Sequence, residues 1–255
     1  MNRLDLNSDL GESFGTWTLG MDQELLPVLT SANVACGWHG GDAGVMRQTV
    51  RRAAALKVGI GAHPGFPDLL GFGRREMKVT PQEAADYVTY QLGALAAFAR
   101  AEGVELQHLK PHGALYNMAC KDPELAGAIV GAARAFSREL LVLAPKKSCF
   151  YDAAAALGQP FAAEFFADRA YEPDGALVAR SKPGAVITDP DVCCARVLRM
   201  AREGVVACRD GSVIPMECAS VCVHGDNVHA LEAARAIRRT LEENGVELRR
   251  MGDRA

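Results

Sequence analysis

Short apolar runs alternate with longer amphipathic ones along the whole chain, and this alternation restricts the fold more than any other feature. Residues 3–7, 32–36, 58–62, 106–110, 140–144, 161–166 and 219–223 read as seven strands, most of them separated by helical stretches. Strands that alternate with helices build βαβ units, and such units pair their strands in parallel. The chain has 255 residues, a length that single β/α barrels commonly reach. No linker composition divides it, so residues 1–255 are expected to form one domain.

Helix punctuation agrees with this partition. Thr80-Pro81-Gln82-Glu83 has the form of a capping box with proline in the first turn, and Val88, Leu92, Leu95 and Ala99 then share one helical face. Asp122-Pro123 and Asp189-Pro190 repeat the cap-then-proline start. Gly103, Gly158, Gly204 and Gly245 each follow a helical run, where a left-handed residue ends a helix. The longest irregular stretch is residues 167–188, and loops of that length are commonly functional.

The charge balance excludes whole classes of partner. With 28 basic and 31 acidic residues well mixed, the net charge of −3 offers no field for nucleic acid or anionic lipid. No apolar run approaches the roughly 18 residues of a membrane span, and MNRLDLNSDL is unlike a signal peptide; a cytoplasmic protein is expected. None of the eight cysteines forms a C-x-x-C pair, and most lie in apolar runs as small core residues. Cys36 is the exception, because polar candidates surround it.

Polar groups cluster where strands end. Asn7 and Asp9 end the first strand, His39 follows the second, His63 the third, Lys110 and His112 the fourth, Glu164, Asp168 and Arg169 the sixth, and His224 and Asp226 the seventh. In a parallel barrel all of these ends open on one face, where active sites assemble. A single histidine after a strand is as readily a capping residue as a functional one; four of six on one face shift the balance toward a site. His108 lies inside a strand and reads as structural, and His229 lies in the last helix. Asp9 and Glu164 are candidate bases or metal ligands; Lys110 and Arg169 suit a carboxylate or a developing oxyanion. Buried ion pairing among these same groups is the plainer alternative. The turn His39-Gly40-Gly41-Asp42-Ala43-Gly44 enters a helix, and either holds an anion on its amides or is capped by Asp42. Walker, nucleophile-elbow and dinucleotide motifs are absent.

The segments DLNSDLGESFG (5–15), SANVACGWHGGDAGVM (31–46), GIGAHPGFPDLLGFGRR (59–75), HLKPHGALYN (108–117), EFFADRAYEPDGALVARSKPGAVITDP (164–190) and VCVHGDNVHAL (221–231) resemble the LamB/YcsF family in order and spacing. Trp38 and Gly40 stand where the family pattern has Phe and Ala. The resemblance implies a seven-stranded β/α barrel similar to the polysaccharide-deacetylase-like superfamily. It also implies a part, with two further subunits B and C, in the ATP-dependent opening of the 5-oxoproline lactam to glutamate. On that basis Asp9 and His63 are expected in acid–base roles, and Lys110 and Arg169 in anion stabilisation. Asn7, His39, His112, Glu164, Arg180, His224 and Asp226 are expected to bind substrate. Two alternatives remain at this point. One is a metal-dependent hydrolase with a divalent cation on Asp9, His39, His63 and His224; the other is a non-catalytic subunit that only binds the lactam.

Overall fold

Acidic and amide side chains occupy alternate positions of the first strand: Asp5, Asn7 and Asp9 interleave with Leu4, Leu6 and Leu10. Successive strand side chains point to opposite faces, so one face of β1 (Arg3–Leu10) is polar and the other apolar. In the computed structural model, which describes residues 3–224 and 228–253, both faces are buried because the sheet closes on itself. β1 pairs in parallel with β2 (Ser31–Ala35), and the ladder continues through β3 (Gly59–His63), β4 (His108–Leu109), β5 (Leu141–Ala144) and β6 (Phe161–Phe166). β6 pairs with β9 (Ser220–Cys222), and β9 pairs with β1 to complete a closed seven-stranded parallel barrel. The leucines of β1 pack outward under the helices, and its polar set points into the barrel.

Helices α1 (Asp22–Leu25), α2 (Ala43–Ala55), α3 (Pro81–Ala101), α4 (Gly113–Ala119), α5 (Pro123–Phe136), α6 (Cys149–Leu157), α7 (Pro190–Glu203) and α8 (Val228–Glu243) connect and cover the strands. Thr80 and Glu83 form the expected capping box on α3, whose Val88, Leu92, Leu95 and Ala99 are buried against the barrel. Asp122 and Asp189 cap α5 and α7. Asp42 caps α2 by accepting from the Gly44 and Val45 amides. That carboxylate fills the helix N-terminus, so the glycine-rich turn is a capped helix start and not an anion site.

Several boundaries differ from the sequence reading. β1 runs on to Leu10 because Leu10 pairs with Val34, so Asn7 and Asp9 lie within the strand. β4 is only two residues long; Pro111 supplies no N–H to extend its ladder beyond Lys110. An antiparallel hairpin of β7 (Val205–Ala207) and β8 (Val213–Pro215) precedes β9, and β10 (Glu247–Leu248) pairs with the start of β1. The stretch 167–188 is ordered by bridges Tyr171–Leu177 and Arg169–Val186 around a small core of Ala170, Val178 and Ala185.

The barrel interior admits large polar side chains because β3 supplies almost none. A Cβ on Gly61 would overlap the His108 ring, so that close approach requires glycine. His108 fills the vacated space and contacts Asn33 Oδ1 at 2.6 Å. It is structural, in keeping with its place within a strand.

Candidate active site

Lys110 follows β4 yet reaches Asp9 on β1, and the two strands are not neighbours, so the contact crosses the barrel interior. Its Nζ lies 3.0 Å from Asp9 Oδ1 and 2.7 Å from Glu164 Oε1, with Asn7 Oδ1 at 3.4 Å and Cys222 Sγ at 3.3 Å. Lys110 is 2% exposed and Glu164 1%. One buried ammonium therefore serves two carboxylates. Burial opposes its charge, but Asp9 and Glu164 outweigh burial and hold the Lys110 pKa well above its usual value. Burial would likewise raise Asp9, but His63 and Lys110 overcome it and hold the carboxyl well below the usual range. Asp9 is thus an ionised carboxylate beside a fixed cation.

Neutral groups position this trio. Asn33 donates through Nδ2 to Asn7 Oδ1 and Asp9 Oδ1, both at 2.8 Å. Asn7 donates to Ser220 Oγ at 2.6 Å, and Tyr116 donates to Glu164 Oε2 at 2.9 Å. Neither Asn33 nor Tyr116 is among the residues expected at the site, although both lie in the family segments. A polar amide within an apolar strand is the signal that marks Asn33.

A second group of side chains adjoins the first. His63 Nε2 lies 3.4 Å from Asp9 Oδ2, and His63 Nδ1 contacts the Lys110 carbonyl oxygen at 2.7 Å. His112 Nδ1 lies 3.0 Å from His63 Nε2, and its Nε2 contacts the Phe72 carbonyl oxygen at 2.8 Å. The rings of His39 and His112 stack at 3.7 Å with 2° between planes, and Glu12 Oε1 lies 3.2 Å from His39 Nε2. Burial pushes the pKa of both His39 and His112 well below the usual imidazole value. Gly73, at φ +60, packs over these rings; a Cβ there would lie 2.7 Å from His39 Cβ. Glu12 is a site residue beyond those expected. It stands three residues past Asp9, in the loop that leaves β1.

The rim carries the remaining residues. His224 Nδ1 lies 2.7 Å from Asp168 Oδ2, and its ring stacks on Phe166, 6.4 Å between centroids. Phe166 also lies 5.1 Å from Lys110 Nζ, which ties the rim to the buried trio. Although burial raises it, Asp168 is held below the usual carboxylate range by His224 and, less strongly, by exposed Arg180. Arg169 departs from its expected part. Its guanidinium is 2.6 Å from the Val178 carbonyl oxygen and 3.3 Å from that of Ala185, so it straps the 167–188 loop. The expected metal set also needs correction: His224 is drawn to Asp168 and Asp9 faces Lys110, while Glu12 and His112 join His39 and His63. One donor atom from each of Glu12, His39, His63 and His112 lies within 4.8 Å of the others. Three imidazoles and a carboxylate are a donor set that suits a divalent cation. Cys36 contacts the Val34 carbonyl oxygen, and burial pushes its thiol up to about 12, so it is a core thiol. Asp226 lies outside the described residues.

Fold and site together define a closed seven-stranded parallel β/α-barrel protein with a buried lysine–carboxylate cluster and an adjoining group of imidazoles. A family 4 carbohydrate esterase from Streptomyces lividans shares the fold, with a TM-score of 0.54 at 12% identity over 97% of this chain and 91% of that one. The chain belongs to the LamB/YcsF family, whose profile matches residues 4–255. It is 53% identical to the A subunit of 5-oxoprolinase from Pyrococcus furiosus over 98% of each chain, and 52% identical to its counterpart from Clostridium beijerinckii over 97% of each. The crystal structure of a lactam utilization protein from Thermus thermophilus superposes with a TM-score of 0.93 at 47% identity, covering 97% of this chain and 99% of that one. Among the described residues no helix is long and apolar enough to cross a membrane.

Proposed function

We propose that this chain is the A subunit of an ATP-dependent 5-oxoprolinase, opening 5-oxo-L-proline to L-glutamate together with subunits B and C in the cytoplasm. The observation that carries the reading is the buried Lys110 clamped between Asp9 and Glu164, in a chain 53% identical to the A subunit of a 5-oxoprolinase. ATP is the co-substrate and a divalent cation the cofactor.

The chemistry explains both the ATP and the charges. A five-membered lactam is a stable amide with a weakly electrophilic carbonyl. Transfer of the γ-phosphoryl group to the carbonyl oxygen releases ADP and activates the carbon. Asp9 takes a proton from an attacking water, and Lys110 stays protonated to face the negative charge that develops on the tetrahedral centre. The C–N bond then breaks, and the ring nitrogen takes a proton from an imidazole at the mouth. His224, oriented by Asp168, is placed for that transfer. A second water hydrolyses the resulting acyl phosphate to glutamate and phosphate. Exposed Arg180 at the rim supplies a cation for the substrate carboxylate.

Reconstitution tests this. ATP-dependent glutamate release is measured with this chain alone, with B and C alone, and with all three. Turnover is expected only from the full set; an unchanged rate without this chain overturns the reading. A chain that merely presents the lactam would retain turnover after Asp9→Asn.

A further inference from the structure

Polar side chains run along the barrel interior in tiers. Asp5, Asn7 and Asp9 share one face of β1, two residues apart, and Ser220 on β9 pairs with Asp5. Asp5 is buried toward the N-terminal end of the barrel, away from the mouth. It collects donors only. Thr30 Oγ1 and Ser31 Oγ each donate to its Oδ1 at 2.6 Å, Ser220 Oγ donates to its Oδ2, and the Met251 amide adds a further contact. Burial lifts this carboxyl to about 6, so above that pH it is an anion with no proton to give. No step of ring opening touches it.

The geometry points to Asp5 as a positioning residue for Lys110, acting through Ser220 and Asn7. A serine hydroxyl has one proton. Ionised Asp5 takes it, so Ser220 Oγ meets Asn7 with a lone pair and accepts from Nδ2 at 2.6 Å. Fixing the amide nitrogen there turns Asn7 Oδ1 the other way, 2.8 Å from Asn33 Nδ2 and 3.4 Å from Lys110 Nζ. His108 supports the same polarity: its Nε2 faces Asn33 Oδ1 at 2.6 Å, which leaves Asn33 Nδ2 for Asn7 and Asp9. Were Asn7 reversed, its NH2 would confront the Asn33 amide nitrogen and the ammonium, donors against donors. Lys110 has three protons. Asp9 and Glu164 take two, and Asn7 Oδ1 is the oxygen left for the third, with Cys222 Sγ at 3.3 Å the weaker acceptor beside it. A carboxylate two tiers below thus decides which end of an amide the ammonium meets.

The consequence for turnover rests on the lactam reading, but the geometry is read without substrate, so either idea can fail alone. Lys110 is the one buried lysine among the described residues, so in protein labelled with nitrogen-15 at lysine Nζ its ammonium should give a single slowly exchanging signal at about pH 8. Asp5→Asn and Ser220→Ala should each displace that signal and speed its exchange. Each should lower kcat of the reconstituted enzyme roughly 10-fold, with KM for 5-oxoproline within about twofold. Both changes act on one relay, so the double variant should be no slower than the slower single one. Thr30→Val removes an Asp5 donor that lies off the path to Asn7, and should cost stability yet leave signal and kcat unchanged. Ser220→Ala removes one oxygen atom and keeps the test open if Asp5→Asn fails to fold. Absence of the slow signal in the unmodified chain overturns the inference, as do an unchanged signal in folded Ser220→Ala and additive losses in the double variant. A shift as large in Thr30→Val overturns it too, since packing alone would then explain the effect. If the signal moves and turnover does not, the positioning stands and the part given to Lys110 in ring opening falls.

Discussion

Asp9→Asn separates charge from shape at the centre of the site. The amide oxygen can keep both Oδ1 contacts, accepting from Asn33 and from Lys110, and the new amide nitrogen stands where Oδ2 faced His63. Lys110 retains Glu164 as a counter-ion at 2.7 Å, so no buried charge is stranded. The loss in stability should therefore be that of one charge-assisted contact weakened to a neutral one, about 1–2 kcal/mol. That is well short of the roughly 3–5 kcal/mol lost when a buried pair is broken outright. Turnover should fall far more, by about 10²-fold or beyond, because the proton acceptor is gone. Urea unfolding measures the first quantity, and glutamate release by the reconstituted three-subunit enzyme measures the second. Arg100→Met, at the end of α3, controls for handling and should alter stability by less than about 0.5 kcal/mol. A folded, assembled Asp9→Asn enzyme that turns over within about threefold of the unmodified protein would refute the assignment of the base.

Burial, packing and loop strapping each lead to a further measurable outcome. Burial lifts the Asp5 carboxyl to about 6 against donations from Ser220, Ser31 and Thr30, so the folded chain holds that proton more tightly than the unfolded one. Its stabilisation is complete below about pH 4 and is lost as pH rises through 6, about 3 kcal/mol in all; urea unfolding at both pH values should show this component in the parent and not in Asp5→Asn, and equal pH slopes would refute it. Gly61→Ala should abolish soluble expression or lower the melting temperature sharply, because its Cβ would overlap the His108 ring; a melting temperature within about 2 °C of the parent would contradict the interior packing. Arg169→Met should leave the barrel folded but open the 167–188 loop, seen as faster amide exchange at Val178 and Ala185, and unchanged exchange would deny its role as a strap.

How much of this is legible in the sequence depends on the length of each signal. Most barrel strands lie in short runs rich in small or apolar residues between helical stretches, β1 being the exception in alternating its leucines with Asp5, Asn7 and Asp9, and the caps at Thr80, Asp122 and Asp189 mark their helices. β7, β8 and β10 are two or three residues long, as β4 and β9 are, but they lie outside the strand–helix alternation that marks those two. At the site, titratable residues beside strand ends are visible one by one, but their partners are not. His224 and Asp168 are 56 positions apart, and nothing local says that they pair. Glu12 belongs to a loop whose course depends on close backbone approaches; a Cβ on Gly41 would lie 2.6 Å from the Gly11 carbonyl oxygen. Arg169 reads as a free cation in the sequence because the carbonyls that occupy it come from 9 and 16 residues further on.

Lys110 joins the two halves of the site through different atoms. Its ammonium neutralises Asp9 and Glu164, and its backbone carbonyl accepts from His63 Nδ1 and so selects which nitrogen of that ring faces the other imidazoles. A substitution that removes the side chain leaves the carbonyl in place. Lys110→Met should therefore silence ring opening and destabilise the fold by several kcal/mol, since two carboxylates lose their shared cation. Metal binding by whatever protein remains folded should persist, because the His63 tautomer is set by the main chain. Lysine's loss from catalysis and its silence in Zn²⁺ titration are a pair of outcomes that a purely structural ion pair does not produce. If folded Lys110→Met protein also fails to bind Zn²⁺, the imidazole group and the buried trio are one electrostatic unit, and the division of labour between them is wrong.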